Sequence, residues 1–387
     1  TMSRIDRITV RSFDWRIERM ASVMRAAPGG RVTLSKFVVT IETDDGQRGD
    51  YLPHYMGRPM TMAQTCEMAP LLLGRDPETR GKIFDDLRNA FRHYDGAGIA
   101  ALDAALWDLA GQKYGCSVAT LLGGWRKHLP TYASTHPGQS TPGGLDSIEA
   151  FADFAAHCQA LGYPAFKIHA FWKGDAASEI AVMQAVKSRV GDQMRLMTDP
   201  ASSLATFLDA VEVGRACDDL AFYWYEDPFR DNSASAFAHK RLREMIKTPL
   251  LIAEHVRGIE QKANFLLNGG TDILHIDPEL DGGITGTMKL AQFAESLGMD
   301  VQLHTAGPLH RQCMAAIRNT AYYEMGLVGP DMTNTLAPPA YSCGYSDALE
   351  AIAPDGTVPV PQGPGLGVTL DWEWLRYHQT AEQVFRS

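Results

Sequence analysis

Hydrophobic positions in the first third of the chain change from a strand period to a helix period. Residues 5–13 and 37–43 are strand-like apolar runs on either side of a stretch containing Met and Arg. Within residues 96–115, apolar side chains instead recur every three or four residues, on one face of a helix: Ile99, Leu102, Leu106 and Leu109. Residues 1–127 are therefore predicted to form an α+β domain.

From about residue 130 onward, short apolar runs alternate regularly with helical segments. The runs are residues 131–134, 165–171, 194–199, 222–227, 250–254, 273–277, 301–305 and 322–324. Eight β/α units over residues 128–352 predict a (β/α)8-type barrel, TIM-like in architecture. An open doubly wound sheet is the structural alternative. The turn-rich tail, residues 353–387, is predicted to pack back on the first domain, so that together they cap the barrel.

Three successive runs end on carboxylates, at the end of the barrel where such folds place their chemistry. Asp199, Glu226 and Glu254 are each predicted to point inward, because side chains alternate along a strand and the residue two positions earlier is apolar: Met197, Trp224 and Ile252. Three converging carboxylates repel one another unless a cation neutralises them. Oxygen ligands favour Mg²⁺, with Mn²⁺ also possible. The alternative is that each acid caps a helix or pairs with a surface base.

The next three strand ends carry Asp277, His304 and Glu324. Asp277 and His304 end neighbouring strands, so a carboxylate can hold one imidazole nitrogen and raise the basicity of the other. His304 is therefore predicted to transfer a proton. Glu324 lies in a mouth already crowded with negative charge, where a carboxylic acid could stay protonated and donate a hydrogen bond.

Loops and further histidines supply candidate substrate contacts. Residues 15–30 and 51–60 are predicted to be lids, because loops on a rigid scaffold commonly select the ligand. The candidate contacts are Arg25, His54, Tyr55, Arg58, His136, His255, His310 and Arg311. The alternative for each is a residue without a role in binding. His275 is predicted to be a core histidine whose hydrogen bonds are satisfied.

Composition narrows the class of partner. The formal net charge of −10 argues against nucleic acids and anionic membrane surfaces, so a small-molecule carboxylate is the expected partner. No apolar run is long enough for a transmembrane helix, and the first residues lack the apolar core of a signal peptide. The six cysteines are widely spaced and are predicted to be buried thiols of a cytoplasmic protein.

Together these motifs resemble the enolase superfamily, in its mandelate racemase-like subgroup. The resemblance covers nearly the whole chain, with ALDAALWDLAGQKYG and LLGG in the first domain and KIH, MTDP, WYEDPF, AEH, DPELDGGIT and LHTAGP in the barrel. In that superfamily a Lys or His base works beside bound Mg²⁺. The resemblance implies a homo-oligomer, either a dimer or an octamer, and it implies roles for six residues: Asp199, Glu226 and Glu254 as Mg²⁺ ligands, Asp277 and His304 as the catalytic dyad, and Glu324 as the acid that hydrogen-bonds the substrate carboxylate.

One position departs from the pattern of that subgroup. Its second barrel strand usually carries Lys-x-Lys, whereas this chain has Lys167-Ile168-His169. Lys167 matches the first lysine, which lies near the substrate carboxylate. His169 replaces the second, a base on the opposite side of the substrate from His304. An imidazole can still transfer protons, or it can merely bind a substrate hydroxyl.

The predicted function is a Mg²⁺-dependent lyase that acts on a sugar acid. It would remove the proton α to a carboxylate and then eliminate water, so that an aldonate or aldarate becomes a 2-keto-3-deoxy acid. A racemase, epimerase or cycloisomerase with the same first step is the enzymatic alternative. A non-catalytic binding protein on the same barrel is the alternative from another class.

Overall fold

The computed structural model describes residues 3–18, 32–138, 143–330 and 336–387. Its strands are β1 (Ile5–Ile17), β2 (Val32–Thr43), β3 (Arg48–Tyr51), β4 (His128–Thr135), β5 (Ala165–Ile168), β6 (Arg195–Thr198), β7 (Trp224–Glu226), β8 (Leu250–Ile252), β9 (Ile273–Ile276), β10 (Asp300–Leu303), β11 (Tyr323–Val328), β12 (Thr357–Pro359) and β13 (Gln379–Arg386). Its α-helices are α1 (Pro59–Met68), α2 (Arg80–Ala90), α3 (Ala97–Tyr114), α4 (Val118–Leu121), α5 (Ile148–Leu161), α6 (Ala176–Val190), α7 (Phe207–Asp219), α8 (Ala236–Arg243), α9 (Ile259–Leu267), α10 (Gly283–Ser296), α11 (Pro308–Ala316) and α12 (Trp372–His378).

The first strands form an antiparallel sheet in the order β13-β1-β2-β3. β1 is longer than the predicted run of residues 5–13, because alternate burial continues through Trp15 and Ile17 and the ladder with β2 continues to Val32. The prediction of a lid over residues 15–30 was therefore wrong for its first residues, which belong to β1. Residues 19–31, which include the candidate contact Arg25, lie outside the described residues.

Helix α3 joins this sheet to the barrel. It is rich in Ala and buried on nearly every side, and Gly115 ends it in a left-handed conformation with φ of 66°. The Asp103 carboxylate accepts hydrogen bonds from the backbone N–H and the hydroxyl of Thr285 on α10, at 3.0 and 2.6 Å. A buried polar anchor therefore fixes the N-terminal domain over the barrel.

Strands β4 to β11 form one curled sheet, all parallel, in the order β10-β9-β8-β7-β6-β5-β4-β11. The two end strands, β10 and β11, form no regular β-ladder within the described residues. Two hydrogen bonds join the sheet at this point: Val301 N–H donates to Asn319 O at 2.8 Å, and the Gln302 side-chain amide donates to Tyr322 O at 2.6 Å. The predicted barrel with a capping domain is confirmed, and the doubly wound sheet is excluded. The last strand lies slightly later than predicted, from Tyr323 to Val328.

Large side chains close the amino end of the barrel. The inner layer comprises Tyr132, Ala165, Met197, Trp224, Leu251 and Tyr322. Because this layer is buried and packed, the opposite, carboxyl end of the sheet is the place open to a ligand.

The C-terminal segment contacts both parts of the molecule. β13 pairs with β1 of the N-terminal sheet, and β12 pairs with β4 of the barrel. The proposed division into residues 1–127, 128–352 and 353–387 stays a prediction. Across the described ranges, none of the helices combines the length and the apolar character needed to span a bilayer.

Candidate active site

Lys167 lies at the centre of the polar residues in the barrel mouth. Its ammonium donates to both carboxylate oxygens of Glu226, at 3.0 and 2.9 Å, and lies 3.1 Å from Glu324 Oε1 and 3.6 Å from Asp199 Oδ2. Burial alone would lower the pKa of Lys167, but Glu226 and Glu324 raise it well above its ordinary value. A permanent cation therefore links three of the predicted site residues.

The Glu254 side chain reaches the mouth by a route that strand alternation does not predict. Leu251 belongs to the inner layer of the barrel, whereas Ile252 packs in the outer core between barrel and helices. The prediction that Glu254 shares an inward face with Ile252 was therefore wrong. Ala253 has φ of 102°, which ends the strand geometry and turns Glu254 back towards His304.

Four ligand-type side chains converge in a cluster that we call the acidic cluster: Glu226, Asp227, Glu254 and His275, with one donor atom of each within 4.8 Å of all the others. Asp227 and His275 were not predicted as site residues. Asp227 follows Glu226 directly, so regular strand alternation would place it on the opposite face, but its φ of 33° interrupts that alternation. Neither ring nitrogen of the buried His275 has a hydrogen-bond partner among the described residues, so the prediction of a satisfied core histidine was wrong.

Asp199 lies beside the acidic cluster rather than within it. Its Oδ2 is 2.8 Å from His169 Nε2, and its Oδ1 accepts from the Ala201 N–H at 2.7 Å. Burial and the nearby Asp199 charge raise the pKa of Glu226 well above its ordinary value, and burial raises the pKa of Asp227 to about 7. The predicted carboxylates are therefore close enough to repel one another, as a cation site requires.

Asp277 and His304 form a short hydrogen bond at the ends of β9 and β10. His304 Nδ1 donates to Asp277 Oδ2 at 2.6 Å, which leaves Nε2 to face Glu254 Oε1 at 3.3 Å. Burial opposes ionisation of Asp277, but its hydrogen bonds with His304 and His310 lower its pKa. Burial alone would lower the pKa of His304, yet Glu254 and Asp277 raise it to about 9. The geometry is that of an oriented acid–base pair.

Comparisons with known proteins identify the family of this chain. The family model described as "Mandelate racemase / muconate lactonizing enzyme, N-terminal domain" matches residues 8–123, and that described as "Enolase C-terminal domain-like" matches residues 150–374. The chain belongs to the mandelate racemase/muconate lactonizing enzyme family of the enolase superfamily. The family predicted from the motifs is confirmed.

Similar proteins include both lyases and isomerases. D-galactarolactone cycloisomerase of Agrobacterium fabrum is 30% identical over 87% of this chain and 89% of its own length. Arabinonate dehydratase of Saccharolobus solfataricus is 26% identical over 85% of this chain and 87% of its own length. The crystal structure of D-glucarate dehydratase from Agrobacterium tumefaciens complexed with magnesium superimposes with a TM-score of 0.88 at 28% identity, covering 98% of this chain and 99% of that one.

In this member of the mandelate racemase family, Glu324 contacts the Lys167 cation and a backbone N–H. Its Oε1 lies 3.1 Å from the Lys167 ammonium, and its Oε2 accepts from the Thr305 N–H at 2.6 Å. Burial opposes ionisation, but the Lys167 charge lowers the pKa of Glu324 to about 2. These contacts favour the ionised form over the protonated acid that we predicted, because the cation closest to Glu324 outweighs the surrounding negative charge.

His169 occupies the position at which this family commonly has a second lysine. Its Nδ1 is 2.6 Å from Thr135 O and its Nε2 is 2.8 Å from Asp199 Oδ2. A carbonyl and a carboxylate only accept hydrogen bonds, so His169 satisfies both contacts by donating through each nitrogen. Trp172 packs edge-on against the ring, at 6.0 Å between centroids.

Four of the other predicted contacts lie at or near the mouth. The Tyr55 ring packs edge-on against His304, with centroids 4.7 Å apart, and the Arg58 guanidinium lies over the Tyr55 ring at 5.5 Å. His255 Nδ1 is 3.2 Å from Asp227 Oδ2. His136 is buried at the end of β4, with its Nδ1 2.8 Å from Pro137 O.

Three predicted contacts are buried against other residues instead. His54 Nε2 is 2.6 Å from the Tyr341 hydroxyl, and His310 Nε2 is 3.1 Å from Asp277 Oδ1. The Arg311 guanidinium donates to Asp347 Oδ1 at 2.8 Å, beneath the C-terminal segment. Of these three residues His310 contacts the dyad, through Asp277, a relation that sequence spacing does not indicate.

Proposed function

We propose that this protein is a Mg²⁺-dependent sugar-acid dehydratase, a hydro-lyase that converts an aldonate or aldarate into a 2-keto-3-deoxy acid. The observation that carries the proposal is the placement of the His304–Asp277 pair, with Nε2 of His304 facing Glu254, directly against a buried group of carboxylates. Two relatives, the arabinonate and D-glucarate dehydratases, support this reaction class.

The chemistry of the carboxylates fits a magnesium ion. Asp199, Glu226 and Glu254 would hold it, since they are buried or nearly buried oxygen donors whose charges otherwise repel. When bound, the ion supplies positive charge that stabilises the negative charge developing on the substrate carboxylate. The neighbouring Lys167 is a second, permanent positive charge for the same carboxylate.

Proton transfer is assigned to the two imidazoles. A metal held by Glu254 would offset the negative charge that contributes most to the raised pKa of His304, so that the ring can lose its Nε2 proton. His304 Nε2 then takes the proton from the carbon α to the carboxylate, while Asp277 holds the Nδ1–H and stabilises the cation that forms. The C–O bond at the β carbon then breaks, and a proton from His169 converts the departing hydroxide into water. The resulting enol rearranges to the keto acid. Glu324, being ionised, holds Lys167 and the Thr305 backbone in place rather than donating a proton.

Tyr55 and Arg58 extend the site into the N-terminal domain. Tyr55 covers one edge of His304, and Arg58 stacks on Tyr55 and donates to its carbonyl oxygen at 3.1 Å. These half-buried residues are positioned to contact the part of the substrate remote from the reacting carbons.

A screen of sugar acids tests the proposal. Purified protein with Mg²⁺ is incubated with a panel of aldonates and aldarates, and 2-keto acids are detected as semicarbazones. Turnover of at least one acid is expected, and it should disappear when the metal is chelated. If calorimetry shows that Mg²⁺ binds but no member of the panel yields a keto acid, dehydration is contradicted. If the protein also fails to exchange the α hydrogen of any of these acids with solvent, a binding protein is favoured.

Cycloisomerisation is the second candidate, favoured by the 30% identity with D-galactarolactone cycloisomerase. Both reactions begin with loss of the same α proton, so product analysis separates them. Proton NMR in D₂O of a sugar-acid lactone would show ring opening with one deuterium incorporated and no loss of water if the cycloisomerase assignment is right.

Assembly and compartment are further proposals. All six cysteines are free thiols, which supports a reducing, cytoplasmic location. Only Cys158, Cys217 and Cys313 are buried; Cys343 is exposed, and the other two are half-buried, so the prediction that all six are buried was wrong. The homo-oligomer implied by family resemblance is testable by analytical ultracentrifugation.

A further inference from the structure

A second imidazole contacts the catalytic carboxylate from the side opposite His304. His310, in the first turn of α11, is fully buried, and its Nε2 lies 3.1 Å from Asp277 Oδ1 and 3.3 Å from the Thr305 hydroxyl. Asp277 Oδ1 also accepts from the Glu279 N–H at 2.7 Å. The Asp277 carboxylate is therefore held between two histidines.

The direction of these hydrogen bonds follows from the chemistry of the carboxylate. An ionised carboxylate only accepts, so both His304 Nδ1 and His310 Nε2 must carry the protons in their contacts with Asp277. A neutral imidazole carries one proton, so His310 then has a bare, accepting Nδ1. That atom is buried and has no hydrogen-bond partner among the described residues.

His54 from the N-terminal domain presents a matching group to that bare nitrogen. Its own Nδ1 is also buried without a partner in the described part of the chain, and its Nε2 is 2.6 Å from the Tyr341 hydroxyl. A Cβ atom on Gly307 would lie 3.2 Å from His54 Nδ1 and 3.3 Å from His310 Nδ1, so both nitrogens face the same small space beside this glycine. If Tyr341 donates to His54 Nε2, His54 Nδ1 is the proton donor that His310 lacks.

We propose that His310 is a positioning residue for proton transfer, and that His54 orients it. Tyr341, His54, His310 and Asp277 form a buried series of donors and acceptors that one water between the two histidines would complete. This series fixes the Asp277 carboxylate and keeps the Nδ1 proton on His304. The inference rests on the proposed role of the His304–Asp277 pair. It goes beyond that role by adding two further imidazoles, those of His310 and His54, the second of which links the pair to the N-terminal domain.

Two substitutions at His310 separate positioning from packing. His310→Phe keeps a ring of similar shape but removes the hydrogen bond, whereas His310→Gln keeps an N–H near the position of Nε2. We expect His310→Phe to lower kcat by about 10- to 100-fold, the usual effect of losing a partner that orients a ligand or base, with KM and Mg²⁺ affinity unchanged within experimental error. His310→Gln should recover most of the lost activity. His54→Phe should lower kcat by a smaller factor.

A matched control and a spectroscopic measurement complete the test. His239, also fully buried and remote from the mouth on α8, is changed to Phe and should leave kcat unaltered. In ¹⁵N-edited NMR of the Mg²⁺-loaded protein without substrate, two strongly downfield imidazole N–H signals are expected, one lost in His304→Asn and the other in His310→Phe. This measurement keeps its meaning if no sugar acid is turned over, or if His310→Phe is poorly stable and only His310→Gln can be studied.

The proposal is overturned by any of three results. Wild-type kcat in His310→Phe would show that the contact has no effect on the reaction. Equal losses in His310→Phe and His310→Gln would indicate packing alone. Failure to observe a His310 Nε2–H signal in the wild-type protein would show that the hydrogen bond to Asp277 does not form in solution.

Discussion

Single residues in the barrel mouth show where alternation along a strand is a reliable guide. Asp199 and Glu226 point inward as predicted, because regular strand geometry extends to them or ends one residue earlier. Glu254 and Asp227 do not follow it, because positive φ values at Ala253 and at Asp227 itself interrupt the strands at their carboxyl ends. A sequence carries no clear signal for such values in residues other than glycine. The identity of candidate residues was therefore predictable, but their directions were only partly so.

The contribution of one carboxylate to the metal site can be measured by replacing Glu226 with Gln. Glu226 is fully buried, hydrogen-bonds Lys167 and belongs to the acidic cluster, so the neutral amide should weaken Mg²⁺ binding by about tenfold or more. Isothermal titration calorimetry gives the affinity. Glu260→Gln, at an exposed ion pair with Arg88, is the control and should bind Mg²⁺ as the parent does. Unchanged affinity in Glu226→Gln would remove Glu226 from the ligand set.

Replacing His304 with Asn removes the proposed base while keeping a donor near Nδ1. The Asn amide can still hydrogen-bond Asp277, so the fold and Mg²⁺ affinity should persist, whereas kcat should fall by about 10²- to 10⁴-fold. Circular dichroism and calorimetry check the first two, and the keto-acid assay checks the third. Activity within tenfold of the parent would show that another group removes the proton.

At the scale of elements, hydrophobic periodicity predicted most of the strands and the architecture, but not their exact ends. β1 continued four residues beyond the prediction, because Trp15 and Ile17 are buried in the same alternation as Phe13. Helix α3 was predicted from one apolar face, yet it is buried almost all round, since small Ala side chains let the N-terminal sheet and α10 approach it together. Contacts between elements, rather than local pattern, decide such details.

Buried Asp108 on α3 should make stability depend on pH. Its carboxylate accepts from the Asp50 and Leu366 N–H groups, at 2.9 and 2.8 Å, and burial raises its pKa to about 7. A raised folded-state pKa means that the contribution of this group to stability is greatest below the unfolded-state value, near 4, and is lost as pH rises towards 7. The loss is at most about 1.4 kcal/mol per pH unit.

Urea unfolding of the parent and of Asp108→Asn between pH 4 and 8 measures this effect. The amide does not ionise, so the free energy of unfolding of Asp108→Asn, taken relative to the parent, should increase with pH up to about 7 and level off above it. A difference that does not change with pH would show that Asp108 keeps an ordinary pKa in the folded protein.

At the scale of the whole molecule, function depends on the contact between the N-terminal domain and the barrel. Tyr55, His54 and Arg58 come from one loop of that domain, whereas His304 and Asp277 come from the barrel. The sequence marked this loop as a candidate lid, but not which of its residues face the mouth. That distinction depends on contacts formed between residues more than two hundred positions apart, which a local pattern does not carry.

Glu279 is the residue that joins the two parts at this point. It is buried two positions after Asp277, and its carboxylate accepts from the Tyr51 hydroxyl at 2.6 Å, the His54 N–H at 2.7 Å and the Met56 N–H at 2.6 Å. Three hydrogen bonds to one buried carboxylate therefore hold the loop that carries Tyr55 against the loop after β9, which carries Asp277 of the dyad.

Replacing Glu279 with Ala should release that loop, with a cost of about 2 to 5 kcal/mol in the free energy of unfolding for three lost hydrogen bonds to a buried charge. Because Tyr55 would no longer be held against His304, kcat/KM should fall more than Mg²⁺ affinity does. Glu279→Gln keeps the acceptor for Tyr51 and His54, so its free energy of unfolding and its kcat/KM should both lie between those of Glu279→Ala and the parent. Glu295→Ala, at an exposed ion pair with Arg318, is the surface control. Limited proteolysis adds the decisive observation: faster cleavage within residues 51–58 of Glu279→Ala is expected, and a cleavage pattern identical to that of the parent would show that Glu279 does not restrain the loop.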